Sequence, residues 1–121
     1  ALEHLKQKLR VELGFKGRVD ILVIDLSKTD ALNSVQISSD VDLLVNNAGL
    51  GFMENFENHS TESIHQMLTV NTYNLTMLCH RFSKEMLERN SGEIINISSL
   101  AGYLPMPMFS VYAATKAYVT S

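Results

Sequence analysis

Residues 92 to 116 read GEIINISSLAGYLPMPMFSVYAATK. A short apolar run, Ile94, Ile95 and Ile97, ends in the pair Ser98-Ser99. Tyr112 follows Ser99 by thirteen residues, and Lys116 follows Tyr112 by four. Side chains at i and i+4 are neighbours on one helical face. The spacing therefore sets a hydroxyl at a strand end against a phenol and an ammonium on a helix. A free phenol, with a pKa of about 10, is a poor acid-base catalyst at neutral pH. A nearby ammonium favours its ionised form. The group is suited to moving a proton.

Working outward, strands and helices alternate. Residues 1–13 predict an amphipathic helix, with Leu2, Leu5, Leu9 and Leu13 on one face and Gly14 as its left-handed cap. Residues 18–26, RVDILVIDL, predict a strand buried on both faces. Ser27 or Thr29 caps a short helix expected over 29–36, and a second buried strand covers 41–46. After a loop over 50–59, Ser60 or Thr61 caps a long helix reaching Glu88. Asn90-Ser91-Gly92 is a turn, Glu93–Ser98 a third strand, and a further helix starts near Ser110. This alternation predicts an α/β fold with a parallel, doubly wound sheet. Ligands bind beyond the carboxyl ends of such strands. Asp25, Asn46-Asn47 and Ser98-Ser99 stand at those ends.

The 121 residues fit one domain. Hydrophobic content of 45% and charged content of 19% are those of a folded chain. A net charge of -3 argues against a nucleic-acid partner. No apolar run is long enough for a membrane segment in this stretch. The lone Cys79 permits no internal disulfide, so a cytoplasmic, reducing setting is the default. His4, His59, His65, His80 and Cys79 lack metal-ligand spacing, so no metal is expected, and Cys79 reads as helix packing.

Taken singly, these features have ordinary explanations. A Tyr-x-x-x-Lys is usually a tyrosine over a lysine stem, and a Ser pair usually caps a turn. Asn71, a poor helix former inside the long helix, usually faces solvent or bonds locally.

Taken together, they resemble the short-chain dehydrogenase/reductase family in its single-domain form. The resemblance rests on Asn46-Asn47-Ala48-Gly49 after a strand, Asn71 in the next helix, and Ser99, Tyr112 and Lys116 in order. The wording VYAATKAYV looks most like the branch of carbonyl, ketoacyl and steroid reductases. The resemblance implies a Rossmann-type αβα domain and hydride transfer between NAD(P)H, with NADP(H) favoured, and a small-molecule carbonyl or alcohol. It implies Tyr112 as general acid or base, and Lys116 favouring the phenolate and holding the nicotinamide ribose. Ser99 would polarise the substrate oxygen, and Asn71 would hold a water that links Lys116 to solvent. Asp25 and Leu26 would meet the adenine, with Asn46–Gly49 along the cofactor. It also implies a homodimer or homotetramer through helices 60–88 and 110–121.

The family's glycine-rich turn, Thr-Gly-x-x-x-Gly-x-Gly, has no match here; Gly14 and Gly17 follow a helix rather than a strand. Residues 1–121 are therefore expected to be a single partial domain, truncated at both ends, without the first two strands. In the order 3-2-1-4-5-6 their absence leaves a gap of about 14 Å between the strands at 18–26 and 41–46. The 121 residues alone are expected neither to unfold cooperatively nor to bind a nicotinamide. The alternative is a catalytically silent nucleotide-binding or scaffolding protein of the same fold. Against it stand Asn71, Ser99, Tyr112 and Lys116, which a scaffold has no physical need to keep together. A sugar epimerase of the extended branch fits poorly with Asn-Asn-Ala-Gly and the Ser-Ser pair.

Overall fold

The computed structural model describes residues 2–33, 35 and 40–121. Helix α1 spans Leu2–Val11 and ends on Gly14, whose φ of 62° is the left-handed cap expected. Its leucine face has no cover among the described residues, and α1 buries no residue.

Strands β1, Leu43–Asn46, and β2, Glu93–Asn96, pair in parallel, with Leu43 opposite Glu93 and Asn46 opposite Asn96. Between them runs one continuous helical rod. It begins as α2, Thr61–Leu68, widens into a π-helical turn over Thr69–Asn74, and continues as α3, Leu75–Arg89. Ser60 caps it by accepting from the Ser63 N–H at 3.0 Å. Asn90, in the left-handed region at φ 52°, closes it. Met67, Val70, Leu75, Phe82 and Met86 bury the rod's inner face, and α3 lies against both strands. Helix α4, Ser110–Thr120, packs on α2, on the π-helical turn and on a short 3-10 turn at Leu100–Gly102. This is the helix-plus-parallel-strand layering of the αβα class.

Three sequence expectations are corrected. Residues 18–26 do not form a strand; over 18–25 they run without regular structure and have no ladder partner among the described residues. Their apolar run is left open, with Val23 85% exposed. An extended segment becomes a strand only when a neighbour accepts its backbone groups, and β1 is paired with β2 instead.

The helix expected over 29–36 is a chain of tight turns through residue 33, with residues 34 and 36–39 outside the described ones. Ser27 turns back to the Asp25 carboxylate rather than capping a helix, a local competition typical of Ser and Asp. Third, the strand at 41–46 is not buried throughout: Leu43 and Val45 of β1 stay open on the side away from α3, as does Ile95 of β2.

These open apolar faces predict the behaviour of the isolated 121-residue chain. Calorimetry should show a broad, non-cooperative melt, and an apolar dye should bind at room temperature. A sharp two-state transition without dye binding would contradict this.

Candidate active site

The parallel register brings the carboxyl ends of β1 and β2 out side by side. From β1 emerges Asn47-Ala48-Gly49, all exposed; from β2 come Ile97, Ser98 and Ser99. Helix α4 lies against this edge, and its position is fixed through the backbone of Lys116. Ser98 Oγ donates to the Lys116 carbonyl at 2.9 Å, and Thr120 Oγ1 donates to the same oxygen at 3.0 Å. Gly102 approaches so closely that a Cβ there would lie 2.8 Å from the Lys116 carbonyl carbon and oxygen.

The Lys116 side chain turns inward and is only 5% exposed. Its Nζ donates to the Ile97 carbonyl at 2.8 Å. Among the described residues no carboxylate lies within ion-pair distance of it. The same Nζ stands 5.9 Å from the centroid of the Tyr112 ring, which Phe109 meets edge-on at 5.8 Å. Gly51 leaves room for that ring, since a Cβ there would come within 3.0 Å of it. The Tyr112 hydroxyl has no protein partner among the described residues. Ser99 Oγ accepts from the Ala101 N–H at 3.2 Å. Its O–H, oriented by that bond, stays available to donate.

Asn71, in the π-helical turn, is 1% exposed. Its Oδ1 accepts from the Leu50 N–H at 2.8 Å, while Nδ2 donates to the Leu50 carbonyl at 2.8 Å and to Thr115 Oγ1 at 2.9 Å. Thr115 in turn donates to the Tyr112 carbonyl at 2.7 Å. The amide thus binds the loop after β1 to the helix that carries Tyr112 and Lys116, and positions both. A Cβ on Gly49 would sit 3.5 Å from Lys116 Nζ and 3.6 Å from Asn71 Oδ1, ordinary contact distances that set this loop directly against both side chains.

Two of the expected nucleotide-side residues are differently occupied. Asn46 is buried, its Nδ2 donating to Asn96 Oδ1 at 2.8 Å and to Cys79 Sγ at 3.2 Å. It ties the two strands and α3 together, because a buried amide must find partners where it lies. That leaves Asn47, Ala48 and Gly49 as the open part of the motif. The Leu26 carbonyl accepts from Asn74 Nδ2 at 2.8 Å. Asp25 stays exposed, with Oδ1 accepting from the Ser27 hydroxyl at 2.7 Å and the Ser27 N–H at 3.0 Å. Those bonds, the hydroxyl first, hold its carboxyl below the usual carboxylate range.

Asn74, Asn96 and Thr115 were missed from sequence. Asn96 interrupts an Ile run and Asn74 stands three residues after Asn71 in a helix, both poor-propensity positions that could have flagged them.

The chain belongs to the short-chain dehydrogenase family, whose model matches residues 1–121. It is 36% identical over 114 residues to the uncharacterized oxidoreductase YvrD of Bacillus subtilis, covering 91% of this chain and 43% of that protein. It is 38% identical over 119 residues to the NADP-dependent 3-hydroxy acid dehydrogenase YdfG of Escherichia coli O6:H1, covering 93% and 47%. The solved structure of a short-chain dehydrogenase from Sphingobium yanoikuyae, in complex with NADPH, superposes with a TM-score of 0.87 at 33% identity over 98% of this chain and 47% of that one. The chain spans about half the length of these relatives.

Gly102→Ala in the complete protein should cost about 1–3 kcal/mol, because backbone rather than a flexible side chain must yield. Turnover should fall with it as α4 is displaced. Unchanged denaturant midpoints and rates would contradict this packing.

Proposed function

We propose that this chain is the catalytic half of an NAD(P)-dependent oxidoreductase acting on a carbonyl or secondary alcohol. The observation that carries the reading is the buried Lys116 ammonium, held by the Ile97 carbonyl beside the Tyr112 ring with Ser99 across the same edge. The chain's own residues suit a nicotinamide dinucleotide. Lys116 offers a buried cation with no carboxylate within ion-pair distance among the described residues, Gly49 lies exposed beside it without a side chain, and Asp25 presents an exposed carboxylate held below its usual range. When bound, a nicotinamide supplies a hydride to a carbonyl carbon or takes one from a carbinol.

The protein's part is positioning and proton movement. Tyr112 gives its phenolic proton to the substrate oxygen in reduction and takes one in oxidation. Lys116 stands beside the Tyr112 ring and would hold the nicotinamide ribose hydroxyls. Ser99 donates to the same substrate oxygen and stabilises the charge that develops there. Asn71, whose amide is engaged by Leu50 and Thr115, would hold the water linking Lys116 to solvent. Asn47–Gly49 lie along the dinucleotide, and Asp25 accepts from the adenine amino group. The relatives named for NADP and seen with NADPH support NADP(H) as the cofactor.

A homo-oligomer through the rod and α4 is supported by the apolar groove between them, lined by Phe56, Ile64, Leu68, Val111 and Tyr118. No helix among the described residues is long and apolar enough to cross a membrane. The cytoplasmic assignment rests on the single free cysteine.

Tyr112→Phe in the complete protein should lower kcat by about 10²–10⁴ while leaving NADPH affinity nearly unchanged. Spectrophotometric turnover and direct titration measure the two. Unchanged behaviour in both would favour the silent scaffold.

A further inference from the structure

The π-helical turn buries a second asparagine, Asn74, which the proton-transfer site does not use. Its Nδ2 donates to the Leu26 carbonyl at 2.8 Å and the Lys28 carbonyl at 2.9 Å. Both partners are acceptors only, so the amide can sit just one way round: NH₂ toward the turn, oxygen away from it. That oxygen is buried and has no partner, a cost the molecule accepts for the sake of the other two bonds.

The clamped turn is the one that presents Asp25. Ser27 reaches back to Asp25 Oδ1, and the Lys28 N–H donates to the Asp25 carbonyl at 3.3 Å. Asp25 and Lys28 in this turn are exposed, Leu26 and Ser27 are half-buried, and the turn follows a segment with no ladder partner among the described residues. Asn74 reaches it across more than forty residues of sequence from a rigid rod. Asn71, three residues earlier on the same turn, fixes Leu50 and, through Thr115, Tyr112.

We propose that Asn74 is a positioning residue for dinucleotide binding, setting the adenine-side turn at a fixed distance from the site of proton transfer. This rests on the nicotinamide reading above. The π-helical turn then works as a gauge, one amide holding each end of the cofactor site. Asn74 acts on the adenosine half of the dinucleotide and leaves the nicotinamide half alone.

The test uses Asn74→Ala, which removes both donors, and Asn74→Asp, which sets a carboxylate against two carbonyl oxygens, in the complete protein. Direct titration gives Kd for NADPH and for reduced nicotinamide mononucleotide, which lacks the adenosine half. NADPH binding should weaken about tenfold in the alanine variant and further in the aspartate variant. Binding of the mononucleotide, and kcat at saturating NADPH, should stay within about twofold of wild type. Asn74→Ser, whose shorter hydroxyl does not reach the Leu26 and Lys28 carbonyls, should give a loss like that of alanine and confined to NADPH; it is the variant to read if Asn74→Asp does not fold. An equal loss for both ligands, or none for NADPH, overturns the role of Asn74. Wild-type protein that binds neither ligand overturns the nicotinamide reading and this inference with it.

Discussion

The bond from Lys116 Nζ to the Ile97 carbonyl is the constraint on which the site depends. An ammonium 5% exposed, with no carboxylate in reach among the described residues, has given up most of its hydration. The effective cost of burying an ion is several kcal/mol, whereas a charged hydrogen bond returns about 1.5–3 kcal/mol. One carbonyl does not close that gap, so the surrounding fold must hold the lysine in place. Ser98, Thr120 and Gly102 fix its backbone, and the Asn71–Thr115 pair fixes the helix one residue earlier. What results is a buried ammonium held 5.9 Å from the centre of the Tyr112 ring.

The helical rod from Thr61 to Arg89 supplies the rigidity for this arrangement. Its π-helical turn falls where two asparagines must reach sideways, to Leu50 and Thr115 on one hand and to Leu26 and Lys28 on the other. A widened turn aims side chains that a regular α-helix would aim elsewhere, and such turns recur at functional sites. Buried Asn46, with Asn96 and Cys79, ties the two strands and α3 together at the level where the loops leave the sheet.

Much of this was legible in the sequence, and for a local reason. The Ser60 cap, the Gly14 turn and the i, i+4 pairing of Tyr112 with Lys116 depend on residues close in the chain. They stand where the spacing puts them. The segment 18–26 failed as a strand because strand formation needs a distant neighbour, which no apolar pattern can supply on its own. Asn46 opens Asn-Asn-Ala-Gly, yet it is buried and its amide is taken up by Asn96, fifty residues away. Asn74 was invisible for the same reason: the carbonyls it holds have no sequence signature. Local chemistry and helical spacing could be read directly, whereas amide partners across the fold could not.

The most direct measurement is NADPH titration of the complete protein with Lys116→Met, a near-isostere without the charge. If the buried ammonium holds the nicotinamide ribose, affinity falls at least about tenfold and turnover drops to background. Affinity and turnover equal to wild type would contradict the central role given to this lysine.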